Sequence, residues 1–438
     1  MIDRIDASSA LQIAASFESA IRSGKLRPGE RIPTVRELAI SLDVSPTTVS
    51  SAYRELRERR LVIGEGRRGT RVQALPSLRT PAGANLPPGV RDLATGNPDP
   101  ALLAPLARAL RRVDPTPGVY AEQHIHGALR EIACEDLEKD GIAADHVAVV
   151  SGALDGIDRA LQAHLRPGDR VAVEDPGFAN LLDLVAALQL DPVPVRVDDR
   201  GPLPEALASA LAQGARALVV TPRAQNPMGC ALDGKRVRAL RRVLRDHPEV
   251  LLVEDDHSTE VAGAPPATLV ARSTRRWAVL RSVSKTLGPD LRVAWMSGDA
   301  ETMGRIEDRQ RVGFRWVSHL LQQIVVELWR DPAVKRRIAK AEKSYRVRRE
   351  SLLGALRAGG VAAHGESGMN VWIPVREEGP VLQSLLAAGF AAVGGARFRL
   401  ESPPAVRVTT ATLRPGEAER IAAAVREAVG ESNSATVI

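Results

Sequence analysis

Cysteine is nearly absent from this 438-residue chain: Cys134 and Cys230 stand far apart and without a metal-type spacing. That excludes a disulfide scaffold and fits a reducing cytosol. Aromatic residues make up only 3%, so any core must be built mainly from Ala, Leu and Val. No apolar run approaches the length needed to span a bilayer. The first residues carry Asp3 and Asp6 and no apolar stretch, unlike a signal peptide. What is present is ordinary for a globular protein: 44% apolar and 26% charged residues. The formal charge of +7 fits a nucleic-acid partner but does not require one. The length calls for a small domain plus a large one.

The first 73 residues hold thirteen Lys or Arg against nine Asp or Glu, so this part is basic. A helix ends near Ser23-Gly24, and Pro33 can open a second with Val35, Leu38, Ala39 and Leu42 on one face. Asp43-Val44-Ser45 makes a turn, Ser45 is a good N-cap, and Pro46 can begin a third helix. That helix turns Val49, Ala52, Tyr53 and Leu56 inward. Two short helices joined by a tight turn describe a helix-turn-helix, whose second helix can enter the major groove. Beyond Leu61-Val62-Ile63, "EGRRGTRV" reads as a small hairpin presenting Arg67 and Arg68.

"SGKLRPGERIPTVRELA", "VSPTTVSSAYRELRERRLV" and "GRRGTRV" resemble the winged helix-turn-helix of the GntR regulators. A three-helix docking bundle is the plainer alternative, and the wing favours DNA. The DNA-contact candidates are Arg36, Ser45, Thr47, Thr48, Ser50, Tyr53, Arg54, Arg67 and Arg68.

Residues 74–92 are rich in Pro, Gly and Ala and read as a linker; residues 93–438 form the second domain. There, "HVAVVSG", "DRVAVEDPG", "ARALVVTP", "VLLVEDD" and "WAVLRSVSK" are short Val-rich runs separated by helical segments. This predicts an α/β domain with a mostly parallel sheet and helices on both faces. A long charged helix over roughly 331–358 leads into a smaller α+β lobe with strands in "SGMNVWIPV" and "AVRVTTATL".

Lys285 stands between Ser284 and Thr286 at the end of an apolar run. Burial there lowers the pKa of an amine, and a neutral amine can form a Schiff base with an aldehyde. Pyridoxal phosphate is the natural aldehyde. It also demands an anion cradle, a carboxylate at the ring nitrogen and apolar cover for the ring. "VVSGALDG" offers a helix N-terminus for the phosphate, with Ser282 and Ser284 adding hydroxyls and Arg292 a charge. Asp255 can face the ring nitrogen, with Asp256 a competing choice one position on. Phe178 can cover the ring, or belong to the core. Asn226 can stand beside the ring hydroxyl, or simply start the turn before Pro227. His124 and His126 suggest a metal pair, but no third ligand has a matching spacing, so no metal is expected.

The ordered set "SGA", "EDPGF", "QNPMG", "VEDDH", "SVSKTLGPDLRVAW" and a terminal "VRV" resembles the fold-type I aminotransferases. The resemblance implies that Lys285 carries pyridoxal phosphate, that Asp255 partners the ring nitrogen, and that Ser151, Gly152, Ala153, Ser282 and Arg292 hold the phosphate. It further implies that Arg407 grips an α-carboxylate and that Tyr120 reaches the phosphate of a neighbouring subunit. Two departures stand out: His257 where many relatives have Tyr, and Met228 where Thr or Ser is usual.

A GntR-type head, a linker and an aminotransferase-like domain together resemble the MocR subfamily of bacterial regulators. That implies a cytoplasmic transcriptional regulator in which an amino compound or a B6 vitamer modulates DNA affinity. It also implies a homodimer, in a head-to-tail arrangement, on operator DNA. The alternatives are a working aminotransferase with an appended DNA-binding module, and a cofactor-free scaffold.

Overall fold

The computed structural model describes residues 9–22, 25–26, 29–58, 61–64, 69–72, 86–116, 120, 124–313 and 315–434. Two compact units are described in turn.

The N-terminal unit contains helices Ala10–Arg22, Val35–Leu42 and Pro46–Glu58 and a two-stranded antiparallel ribbon, Val62–Gly64 with Thr70–Val72. Thr34, not Pro33, sets the start of the second helix. Its hydroxyl accepts from the Glu37 N–H, and the Glu37 carboxylate accepts from the Thr34 N–H, a reciprocal capping box. Pro33 therefore sits just outside the helix. Asp43 takes a left-handed conformation (φ 52°) to end it. Ser45 caps the third helix by accepting from the Thr48 N–H at 3.0 Å. The core holds Ile13, Phe17, Val49, Ala52, Tyr53 and Leu56. Arg67, Arg68 and the Ser23-Gly24 cap lie outside the described residues.

The large unit is organised on an eight-stranded sheet. In spatial order its strands are Val147–Val150, Ala294–Gly298, Arg276–Ser282, Leu251–Asp256, Ala215–Val220, Arg170–Asp175, Asp191–Asp198 and Gly201–Pro202. Arg170–Asp175, Ala215–Val220, Leu251–Asp256 and Arg276–Ser282 pair in parallel. Every residue of Val147–Val150 and Leu251–Asp256 is buried, so both faces of the sheet are covered. Helices Ala153–His164, Pro204–Ala212 and Ala300–Val312 are among those packed on it.

Ala294–Gly298 is the exception that shapes the site, because it runs antiparallel to both its neighbours, Arg276–Ser282 and Val147–Val150. Its first residue, Ala294, is in register with Ser282 on one side and Val150 on the other. The start of one strand thus meets the ends of two others.

The smaller lobe is a three-stranded antiparallel sheet of Asn370–Pro374, Ala405–Thr409 and Val393–Gly394. Helices Pro332–Ala358, Glu378–Ala387 and Glu417–Ser434 accompany it, sharing a core that includes Leu352, Val371, Ile373, Val406, Val408 and Ile421. Arg91 and Asp92, assigned to the linker by composition, instead pair with Phe390 and Ala391, and Leu93 enters this core. A two-residue strand is too short to leave a periodic signature.

Candidate functional site

The parallel strands end side by side, and the functional candidates follow those ends. Lys285 lies three residues beyond Ser282. Its Nζ donates to the Gly96 carbonyl at 2.8 Å. Burial, and after it the Arg407 guanidinium, depresses its pKa to about 8, with Asp255 pulling the other way.

Asp255 and Asp256 end the neighbouring strand, and their surroundings tell them apart. Asp256 is held bidentately by Arg223, with Nε and Nη2 both at 2.8 Å. Arg281 approaches it at 3.5 Å and continues to Asp136 at 3.0 Å. Asp255 is buried, yet its Oδ1 has no hydrogen-bond partner among the described residues. Its Oδ2 faces His257 Nδ1 at 3.5 Å. A buried carboxylate oxygen without a donor is costly and calls for one that arrives with a ligand.

The anion cradle follows from the antiparallel strand. Arg292, just before Ala294, closes the Pro289–Leu291 turn in a left-handed conformation (φ 49°). Its Nη2 donates to the Ser151 carbonyl at 2.6 Å. Gly152 (φ +92°) precedes helix Ala153–His164, and a Cβ there would fall 2.5 Å from the same Nη2. Only glycine satisfies both the backbone and the approach. On the other side the Ser282 and Ser284 hydroxyls share a 2.9 Å hydrogen bond. Helix N–H groups, a guanidinium and two hydroxyls form a donor set suited to a phosphate monoester.

Asn226 Oδ1 accepts from Arg407 Nη1 at 2.9 Å. Arg407 also donates to the Ala94 carbonyl, and its guanidinium lies 4.8 Å from the centre of the Phe398 ring. Burial, then Arg397, lowers the Arg407 pKa to about 10. Phe178 is half-buried at the start of helix Ala179–Ala187. Tyr120 stands apart: it is 82% exposed and meets Arg315 and Trp316. His124 stacks on Trp316, and the described residues contain no metal-ligating cluster.

In the N-terminal unit Arg36, Ser45, Thr47, Ser50 and Arg54 are exposed and Thr48 is half-buried. Tyr53 is the exception among the DNA-contact candidates. It is 2% exposed, packs edge-on to Phe17 and donates to the Pro33 carbonyl at 2.7 Å. It positions the recognition helix from inside, because its spacing from Val49 and Leu56 puts it on the buried face.

Several site residues escaped the sequence reading. Gly96 and Ala94, whose carbonyls receive Lys285 and Arg407, sit in "ATGNPDP", where a Gly-Asn-Pro turn was the available signal. Asp175 accepts from the Leu400, Glu401 and Ser402 N–H groups at 2.8 to 2.9 Å, fixing the turn that carries Phe178. The pairing of Arg223 with Asp256 has no local signal at all.

Residues 88–425 match the family described as aminotransferase class I and II, and residues 9–72 match the bacterial regulatory proteins of the gntR family. The vitamin B6 salvage pathway transcriptional repressor PtsJ of Salmonella typhimurium is 38% identical over 427 residues, covering 97% of this chain and 99% of that one.

The chain belongs to the MocR subfamily of GntR-type transcriptional regulators.

This MocR-type chain is also similar to the pyridoxine biosynthesis regulator PdxR of Corynebacterium glutamicum, at 27% identity over 77% of this chain and 76% of PdxR. Among solved structures it matches LysN, an α-aminoadipate aminotransferase from Thermus thermophilus in complex with N-(5'-phosphopyridoxyl)-L-leucine. The TM-score is 0.70 at 22% identity, over 79% of this chain and 94% of that one. The kynurenine aminotransferase of Pyrococcus horikoshii gives 0.69 at 23%, over 78% and 91%. These two likenesses establish the fold. Pyridoxal phosphate is the cofactor of a MocR large domain, and the residues present fit it: an amine, an unpartnered carboxylate oxygen and an anion cradle. As a GntR-type regulator the chain binds DNA. No helix among the described residues is long and apolar enough to cross a membrane.

The cradle can be tested at one atom. Gly152→Ala should weaken pyridoxal phosphate binding by at least about tenfold, equivalent to about 1.4 kcal/mol, because the Cβ displaces Arg292. Equilibrium dialysis of the variant measures it.

Proposed function

We propose that this chain is a B6-responsive transcriptional repressor in which pyridoxal phosphate, held in the large domain, sets the affinity of the winged helix for DNA. The carrying observation is the conjunction of Lys285 with the unpartnered Oδ1 of Asp255, in a chain similar along 97% of its length to a B6 salvage repressor.

When bound, the cofactor supplies an aldehyde and an electron-withdrawing ring. Lys285 would present its amine to the aldehyde, and Asp255 would partner the ring nitrogen. Ser151, Gly152 and Ala153, with Ser282, Ser284 and Arg292, hold the phosphate. Asn226 and His257 would stand beside the ring hydroxyl, and Phe178 would cover a ring face. Arg407 takes the carboxylate of an amino compound. In the homodimer that we assign, Tyr120 completes the cradle of the neighbouring copy; its exposure in a single chain supports this. Switching requires the vitamer to bind one DNA-competence state better than the other.

The test is a DNA titration by fluorescence anisotropy, using a duplex from the promoter of the chain's own transcription unit, with and without saturating pyridoxal phosphate. A shift of fivefold or more, about 1 kcal/mol of coupling, is expected. Equal midpoints would overturn the B6 reading. The intact set of Lys285, Asn226 and Arg407 favours a second reading, catalytic transamination, which multiple turnovers with amino donors and oxo-acids would establish.

A further inference from the structure

Helix Gly234–Arg245 reads GKRVRALRRVLR, six cations and no acid. Two of the six serve the fold. Arg236 donates to Asp198 and to the Gly201 and Pro202 carbonyls, and Arg241 donates to the Thr268 and Val270 carbonyls. The other four, Lys235, Arg238, Arg242 and Arg245, are exposed and make no ion pair or side-chain hydrogen bond among the described residues. Their spacing of three, four and three residues puts them on one stripe of the helix. Leu240 and its apolar neighbours take the opposite face.

This stripe works against the helix that carries it. Like charges three and four residues apart repel, and Lys235 sits in the first turn, where the helix dipole disfavours a cation. Asp233 caps the helix and pairs with Arg200, leaving the four cations uncompensated. The dipole favours Arg242 and Arg245 in the last turn, but it gives no reason for Lys235 and Arg238 or for setting four like charges on one stripe. The stripe runs about 15 Å, ten residues at about 1.5 Å each, which matches about four base-pair steps. Arg272 and Arg275 are exposed on the loop that follows Val270, whose carbonyl Arg241 of this helix holds.

We propose that this helix is a second duplex-DNA contact surface, carried by the large unit and engaging phosphates without reading sequence. The proposal rests on the chain being a DNA-binding regulator. An acidic protein would need apolar or aromatic anchors, and a membrane surface would need an apolar face to insert. The exposed stripe has neither, whereas the phosphate backbone requires only the charge.

The experiment uses the full-length, cofactor-loaded protein and a long random-sequence duplex, with affinity measured across a salt series. Replacing Lys235, Arg238, Arg242 and Arg245 together by Gln is expected to reduce the slope of log affinity against log salt by about two to four, close to one per lost contact. Arg238→Lys, Arg242→Lys and Arg245→Lys together should retain the wild-type slope. Arg242→Gln alone should lower it by about one, which keeps the test usable should the fourfold variant fail to fold. A Gln variant with an unchanged slope, and with normal cofactor absorbance and thermal transition, overturns the proposal and leaves the regulator reading standing. Wild-type protein that binds no duplex at all would instead remove the regulator reading.

Discussion

Replacing Lys285 with Ala is expected to abolish covalent retention of pyridoxal phosphate. Borohydride treatment followed by mass analysis should find the pyridoxyl adduct on the wild-type chain and none on the variant. The size of the effect follows from the environment of this amine. An ordinary lysine, with a pKa of about 10.4, is neutral in fewer than about one molecule in a thousand at pH 7. Burial and Arg407 bring Lys285 to about 8, so about a tenth of it is neutral there. Only the neutral amine attacks an aldehyde, so capture of pyridoxal phosphate by the apo-protein should rise about tenfold per pH unit below 8 and level off above it. Arg407→Gln removes the second of the two causes. It should move that profile to higher pH while sparing the attachment itself. A profile still rising steeply past pH 9 in the wild type would contradict the assigned environment.

The parts legible in the sequence share a property: each is carried by residues close together along the chain. The third helix of the N-terminal unit was readable because Ser45, Pro46 and the inward spacing of Val49, Ala52, Tyr53 and Leu56 lie in one short run. The buried parallel strands were readable from continuous Val-rich runs. Lys285 stood out as a charge in such a run.

What was missed depends on contacts between distant segments. Nothing beside Asp256 announces Arg223, 33 residues earlier, yet that bidentate pair occupies Asp256 and leaves Asp255 as the carboxylate with an oxygen to spare. The antiparallel strand Ala294–Gly298, AWMSG, has no Val-rich run to announce it. Its direction, which sets Arg292 against Gly152, comes from the sheet order alone. Tyr53, legible both as an inward residue and as a DNA contact, is assigned to the core by its long-range bond to the Pro33 carbonyl.

Asp255→Asn should move the two states of the protein in opposite directions. Asp255 Oδ1 is buried with no donor among the described residues, and a buried acceptor left without one costs about 1–3 kcal/mol. The buried Glu174 carboxyl is the like-charged group that Asp255 meets, and Asp255 helps to push its pKa up. An amide of the same shape removes that repulsion, and the apo thermal transition should stay level or rise. With pyridoxal phosphate present the order reverses. A hydrogen bond to a charged group contributes about 1.5–3 kcal/mol, so its loss should weaken binding by about 10–100-fold. At a fixed saturating ligand concentration that removes about 1.4–2.7 kcal/mol of ligand-dependent stabilisation, read as a smaller rise in the thermal transition on adding the cofactor. A residue with a purely structural role would behave differently, lowering the apo transition and leaving the ligand-dependent increment intact. Asp256→Asn supplies that contrast in the same strand, since it strips Arg223 of its bidentate partner and leaves a buried guanidinium unpaired.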